Sequence, residues 1–421
     1  MSVVTIEART SGRGRAGQGE GSRPRDGGWS SPVTSYYLIG AVTALLLVLG
    51  LVMVLSSSTV LSTADEGSPY AYFIDQATFA VVGLIVLAVA SRLRISFYKR
   101  IAWPALALGI VLQALVYTPL GRSQGGNRAW VYVPGLSQTI QPSEFLKVAL
   151  VIWLAAVLAG KQHLLREPRH VLVPAGIGAA LAIGLVALGK DLGTVLILVA
   201  LAAGAFYAAH VPMRMLAVAG GLAAGAVAVL TVSSENRMVR LKTFLGLIEV
   251  DPQNGGYQTL HGLWGLGTGG ISGVGLGASR EKWLYLPEAH NDFIFAVIGE
   301  ELGLLGTLLV LVLFGTLAVG FRRVIMRHTD PFVRIATAAA ATWILVQAII
   351  NIGVVIGWVP VIGVPLPLLS QGGSALITNL AVLGMVLAFA RSEPGASEAL
   401  EARRGAVRRS LAVVGRRRRR G

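Results

Sequence analysis

The 421-residue sequence contains no cysteine, which excludes thiolate catalysis, disulfide staples and cysteine-ligated metals. Charge is scarce as well. Asp, Glu, Lys and Arg make up 14% of the residues, against about 25% in a soluble globular domain. Acids are fewer than bases, 21 against 36, giving a formal net charge of +15. What remains is apolar, 54% of the chain, and the class expected is an all-α integral membrane protein. Apolar runs of about 20 residues, each long enough to cross a ~30 Å hydrocarbon core as a helix, are read ten times. They lie near residues 36–56, 73–90, 101–119, 141–159, 171–189, 192–209, 215–232, 292–320, 332–357 and 374–390.

The first 35 residues are rich in Gly, Ser and Arg and lack the apolar segment of a cleavable signal peptide. They are read as a disordered cytoplasmic arm, and 392–421 as a basic disordered tail, flanking one ten-helix membrane domain over 36–391. Of the 36 Lys and Arg, 27 fall in the two tails and the even-numbered loops, 8 in the odd-numbered loops, and Lys147 inside a span. By the positive-inside rule both termini are cytoplasmic and the odd-numbered loops face outward. The run Arg416 to Arg420 suits anionic lipid headgroups. No aromatic residues interleave it, so nucleic acid is not the expected partner. One outer loop, 233–291 between the seventh and eighth spans, is far longer than the others, and loops of such length are usually functional. Its "RLKTFLGLIEVDPQNGGYQ" stretch is partly amphipathic and suited to the membrane interface.

Two nucleotide signatures nearly occur. Gly184 to Asp191, "GLVALGKD", has the spacing of a phosphate-binding P-loop, but Asp191 stands where Ser or Thr is required. Gly265, Gly267 and Gly270 match GxGxxG without a preceding strand. Both are set aside.

Ionisable residues inside spans carry more information, because a charge at the centre of a membrane helix costs about 2.5–3.5 kcal/mol on insertion scales. In "QPSEFLK" Pro142 suits a helix start, and Glu144 and Lys147 are three apart, on one face and able to pair. Asp191 opens the sixth span beside Lys190. These are either structural ion pairs or the wall of a polar substrate groove. Arg128 and Trp130 in "GGNRAWVYVPG" are an interfacial anchor or, for Arg128, part of a diphosphate clamp. Pro360, Pro365 and Pro367 fall within eight residues of the last outer loop, which predicts a re-entrant or extended segment lining a cavity. Ser370, Gln371, Gly372, Gly373 and Ser374 then form either a helix cap or a site for a sugar or phosphate.

The most charged outer stretch is "YLPEAHNDFIFAVIGEELG", residues 285–303. Asp292 is placed at the first turn of the eighth span, where the positive helix end would favour its ionised form. Such a carboxylate serves as a general base, holds a divalent cation, or only caps the helix. Glu288, His290 and Asn291 precede it. Helical spacing puts Glu300 about 80° around from Asp292 and Glu301 on the opposite side, so Glu300 is expected to face the same cavity.

The motifs "QPSEFLKVALVIWLA", "KDLGT", "DPQNGGYQ", "GLGTGGISGVGLGASREKWLYLPEAHNDFIFAVIGEELG" and "PLPLLSQGGSALI", in that order on ten spans, resemble the SEDS family of shape, elongation, division and sporulation proteins. The stretch "LVMVLSSSTVLSTADEGSPYAYFIDQ" is similar to its division branch more than to its elongation branch. The resemblance departs at Ala129, before Trp130, and at Gly189 and Lys190, before "DLGT". It implies a peptidoglycan glycosyltransferase that polymerises lipid II, acting with a class B penicillin-binding transpeptidase and other division proteins. The place implied is the septal region of a bacterial cytoplasmic membrane. It also implies that the carboxylate of the "HxDF" position, Asp292 here, is catalytic. Arg128, Arg240, Lys242 or a divalent ion, Mg or Mn, would stabilise the diphosphate leaving group. The alternatives are a transporter that flips lipid-linked sugars along Glu144, Lys147 and Asp191, and a non-catalytic division scaffold.

Overall fold

The computed structural model describes residues 31–124, 126–132, 139–249, 255–396 and 398–401. Most of the N-terminal arm, the run Arg416 to Arg420, and Asp251 to Asn254 of "DPQNGGYQ" lie outside them. The element order is α1 (Thr34–Glu66), α2 (Ala71–Ala90), α3 (Ile95–Ala114), β1 (Gly121–Gln124), β2 (Asn127–Tyr132), β3 (Thr139–Ile140), α4 (Pro142–Gly160) and α5 (Pro168–Val171). It continues with α6 (Ile177–Leu188), α7 (Leu192–Ala208), α8 (Met213–Val232), α9 (Glu235–Phe244), α10 (Gly255–Gly269), α11 (Ile294–Arg327), α12 (Pro331–Val355) and α13 (Gly373–Arg391). Among the described residues nine helices are long and apolar enough to cross a membrane, α5 and α6 counting as one, and α7 is a shorter apolar helix of 17 residues. Every apolar run read from the sequence corresponds to one of these ten.

The helices begin where local chemistry permits. Pro142, Pro168 and Pro331 occupy first-turn positions, where the missing N–H is not needed. Asp191 and Asp330 cap α7 and α12 by accepting from the Thr194 and Phe332 N–H groups. In α4 and α13, 72% of the span is buried, against none of α8. The bundle is therefore built around α4, α12 and α13, with α8 on its periphery.

The all-α class holds, with one small sheet added to the helices. Strands β1, β2 and β3 form a three-stranded antiparallel sheet in that order. Ala129 and Val131 of β2 are buried while Arg128 and Tyr132 are exposed, the alternation of a half-buried strand. The sheet docks on the turn between α6 and α7, where the Arg128 N–H donates to the Gly189 carbonyl at 2.9 Å. A Cβ on Gly189 would lie 2.3 Å from the Arg128 carbonyl oxygen, so only glycine permits this approach.

The loop 233–291 contains α9 and α10, and its glycine-rich part locks onto α11. That helix is broken at Gly303, whose φ of 67° and ψ of −161° suit glycine alone. Backbone groups released by the break are satisfied from the loop. Val274 N–H donates to the Glu300 carbonyl at 2.9 Å, Gly275 N–H to that of Glu301 at 3.1 Å, and Leu304 N–H to the Gly270 carbonyl at 2.9 Å. A Cβ on Gly303 would meet the Gly273 nitrogen at 2.4 Å. Gly303→Ala is expected to destabilise the fold by on the order of 1–3 kcal/mol, lowering the melting midpoint in detergent. Gly225→Ala on α8, where a Cβ meets nothing within 4 Å, should leave the midpoint unchanged; equal midpoints for the two variants would refute the lock.

Candidate active site

A cavity of about 280 Å³ lies where the starts of α4 and α7, the segment 361–375, α9 and the loop before α11 converge. Trp130, Glu144, Lys147, Asp191, Arg240, Glu288, Asn291, Asp292, Gln371, Gly372, Gly373 and Ser374 line it. Segment 361–366 is non-helical, with Val361, Val364 and Leu366 buried, as the prolines in and beside it predict.

The wall on the α4 side is a buried ion pair. Lys147 Nζ lies 2.7 Å from Glu144 Oε1, 3.4 Å from Gln347 Oε1 and 4.7 Å from the centre of the Trp343 ring. Thr378 donates to the other Glu144 oxygen at 3.2 Å. Gln347 in turn donates to the Pro365 carbonyl at 2.8 Å, so the pair is tied to the segment that forms the opposite wall. Asp191 accepts from the Thr194 N–H and hydroxyl at 3.0 and 2.7 Å and from Gln141 at 3.1 Å. The structural role and the groove-lining role thus coincide in the same three side chains.

The loop carrying Asp292 is gripped through three consecutive backbone carbonyls. His290 O accepts from the Gln371 N–H at 3.1 Å, Asn291 O from the Ser370 hydroxyl at 2.7 Å, and Asp292 O from the Asn351 amide at 2.8 Å. Asn351 also donates to the Val364 carbonyl at 2.8 Å. From the other side Gln76 donates to the Ser370 carbonyl and accepts from the Gly372 N–H. Gln76, Gln347 and Asn351 escaped the sequence reading. Their signal was present as buried amides inside apolar spans, which must find partners in the absence of water.

Asp292 precedes the first residue of α11 by two positions, and the helix has no side-chain cap. The helix-end effect expected to favour its ionised form is opposed by burial. Burial pushes its carboxyl up to about 7, Glu288 and Asp191 add to the rise, and Arg240 opposes it. Burial likewise lowers the pKa of His290, against the opposing pull of Glu288 and Asp65, and its ring rests near Tyr72, 5.8 Å between centroids.

Five of the residues expected at the site are placed elsewhere. The Arg128 guanidinium donates to the Thr118 carbonyl at 2.9 Å, and Lys242 is exposed on α9. His290 faces Tyr72, and the Ser370 hydroxyl is consumed between Asn291 O and the Leu366 N–H. Glu300 does not face the cavity: it accepts from the Ser279 hydroxyl and from the Arg280 N–H at 2.9 Å. Glu301 pairs with Lys282 at 3.0 Å and accepts from Ser56. Both glutamates secure the loop to α11. Arg240, 3.4 Å from the Val361 carbonyl, is the cation on the α9 side of the cavity. Among the described residues no group of three or more His, Asp or Glu is placed to hold a metal. Asp292 and Glu288 are the two carboxylates that a Mg or Mn ion would share with substrate phosphate oxygens.

Lys147→Met leaves Glu144 buried and without its cation, which typically costs about 3–5 kcal/mol. A clear fall of the melting midpoint in detergent is expected. An unchanged midpoint with loss of catalytic activity would mean that the pair serves the groove and not the fold.

A profile of the cell cycle protein family of FtsW, RodA and SpoVE matches residues 36–394. The probable peptidoglycan glycosyltransferase FtsW of Mycobacterium tuberculosis is 42% identical over 403 residues, covering 95% of this chain and 76% of that protein. Stage V sporulation protein E of Bacillus subtilis is 35% identical over 364 residues, 84% of this chain and 96% of its own length. A chain from a peptidoglycan synthase complex coordinating polymerization and crosslinking superposes with a TM-score of 0.69 at 26% identity, over 84% of this chain and 97% of that one. The Thermus thermophilus rod shape determining protein RodA gives 0.62 at 26% identity, over 85% and 97%. With the profile spanning the whole bundle and the cavity motifs in place, the chain belongs to the FtsW, RodA and SpoVE family, the SEDS family that its motifs resemble.

Proposed function

We propose that this chain is a peptidoglycan glycosyltransferase that polymerises lipid II, with Asp292 as the general base. The acceptor sugar hydroxyl gives its proton to the Asp292 carboxylate as its oxygen bonds to the anomeric carbon of the donor. The bond from that carbon to the diphosphate breaks, the configuration inverts, and polyprenyl diphosphate leaves with the electron pair. The leaving group needs positive charge more than a proton, and Arg240, which lines the cavity, would supply it. The observation that carries the reading is the Asp292 carboxylate, without an ion pair among the described residues, on a polar-walled cavity that Arg240 also lines; burial raises its pKa toward neutrality, where a base works best. The distribution of basic residues supports a cavity that opens on the outer face. The synthase complex found among structural neighbours supports a class B penicillin-binding transpeptidase as partner, and the FtsW relatives support a septal location.

Asp292→Asn keeps the shape and removes the base, and polymerisation from lipid II should fall about 10²- to 10⁴-fold with the fold intact. Near-normal glycan yield would eliminate the base role; lipid flipping by a wild-type protein without polymerase activity would favour the transporter. The pH dependence has opposite signs for rate and stability. A base must be ionised, so the rate should fall as pH drops below about 7. A carboxyl raised by burial favours the folded state when neutral, and that contribution is lost as pH rises through about 7. The melting midpoint of the wild type relative to Asp292→Asn should therefore decline across that range, and a difference independent of pH would contradict the burial.

The orientation is tested by thiol labelling, since no native cysteine interferes. A membrane-impermeant reagent should reach Gly255→Cys in intact cells and spare Ser410→Cys. The reverse pattern would invert the topology.

A further inference from the structure

Two helices outrun the membrane. α1 has 33 residues and α11 has 34, about 50 Å each, against a hydrocarbon core of ~30 Å. Polar contacts clasp them together at two levels. Arg323 Nε lies 3.4 Å from the Ser35 hydroxyl, and the Ser56 hydroxyl donates to Glu301 at 2.7 Å. The clasps are 21 residues apart on α1 and 22 on α11, about 32 Å, so one falls at each face of the core. The glycine-rich segment 270–278 passes inside the Ser56–Glu301 level. Its Leu276 lines an apolar groove of about 260 Å³ with Leu45, Val48, Val52, Leu309 and Leu313, which lie four to twelve positions inward of Ser56 and Glu301. Ile271 and Leu276 are 71% and 60% exposed, and Val274 is exposed between them. The backbone is prepared for apolar surroundings. The N–H groups of Gly273, Val274, Gly275 and Ala278 donate to the carbonyls of Gly269, Glu300, Glu301 and Gly275 at 2.8 to 3.1 Å. The Gly270 and Ile271 carbonyls accept from Leu304 and Leu305 N–H, and that of Gly277 from Lys282 Nζ at 2.7 Å. Irregular backbone enters hydrocarbon only with its polar groups paired in this way. Trp264, Trp283 and Tyr285, which flank the segment in sequence, are exposed, as is Arg280; these residue types settle at headgroup level.

We propose that segment 270–278 is a membrane wedge, which inserts Ile271, Val274 and Leu276 among the acyl chains of the leaflet on its side of the bundle, the outer leaflet in the orientation proposed above. The groove beside Leu276 is lined by Leu and Val alone, which suits an acyl chain and offers a sugar or a polar peptide no partner. Apolar side chains set beneath a rim of Trp, Tyr and Arg are the composition of an element that sits about 5–10 Å into the headgroup and acyl boundary. Glu300 and Glu301 fasten residues 279–282 to α11, so the wedge sets the height at which the chain leading to Asp292 leaves the membrane. It stands independently of Asp292 as general base.

The lack of native cysteine allows a direct test by site-directed spin labelling. The purified full chain, carrying a nitroxide on Ile271→Cys, Val274→Cys or Leu276→Cys, is placed in vesicles of phosphatidylcholine and phosphatidylglycerol. Collision of the label with oxygen, which concentrates in lipid, is compared with collision with a water-soluble nickel chelate. Val81→Cys, exposed midway along α2, is the lipid reference. Glu66→Cys, exposed at the end of α1 ten residues beyond Ser56, is the water reference. Labels on the wedge should favour oxygen over nickel, as at Val81→Cys. The three positions cover the case in which one variant fails to fold, and only variants with the wild-type melting midpoint are read. Nickel access equal to that of Glu66→Cys would overturn the proposal and place the segment in water. Shielding from both reagents would also overturn it, in favour of a second copy or another protein seated on the groove.

Discussion

The structure depends on the grip that α12 and the 364–371 segment exert on three successive carbonyls of the loop before α11. A carboxylate works as a base only if it is held within a fraction of an ångström of its acceptor, and a loop at a membrane surface does not do that unaided. Here Asn351, the Ser370 hydroxyl and the Gln371 N–H fix the backbone of residues 290–292. Among the described residues the Asp292 carboxylate has no hydrogen-bond partner. These polar groups are spent on the backbone, which leaves the carboxylate free for the base role proposed above.

A second set of contacts works toward the same end from the opposite side of the loop. Gly303 breaks α11, the glycine-rich segment fills the break with its own backbone, and Glu300 and Glu301 fasten residues 279–282. Both ends of the stretch leading to Asp292 are thereby anchored to one helix. The buried Glu144–Lys147 pair joins this system through Gln347 and the Pro365 carbonyl. Its desolvation is offset by geometry and by the neighbouring Trp343 ring.

Much of this was legible in the sequence because it depends on local pattern. The spans follow from apolar run length, the Glu144–Lys147 contact from a three-residue spacing on one helix, and the irregular 361–366 segment from its prolines. What was not legible depends on residues brought together from far apart. Asn351 and Asp292 are 59 positions apart, and no local rule couples them. The placement of Glu300 failed for a different reason: helical angles were counted from Asp292, but the helix begins at Ile294, so the reference residue is not on it. The β2 strand was readable from the alternation through Arg128 to Tyr132, and was obscured by the apolar composition around it. For Asp292 the sequence shows the nearby helix start, which favours the ionised form, but not the burial that opposes it.

The most direct measurement is the protonation of Asp292 itself, read as the carboxyl stretch in infrared difference spectra of wild type minus Asp292→Asn, from about pH 4 to about pH 9. The account predicts a midpoint near 7, with the protonated band present in mildly acid solution. A midpoint close to that of an exposed aspartate, about 3.9, would contradict it.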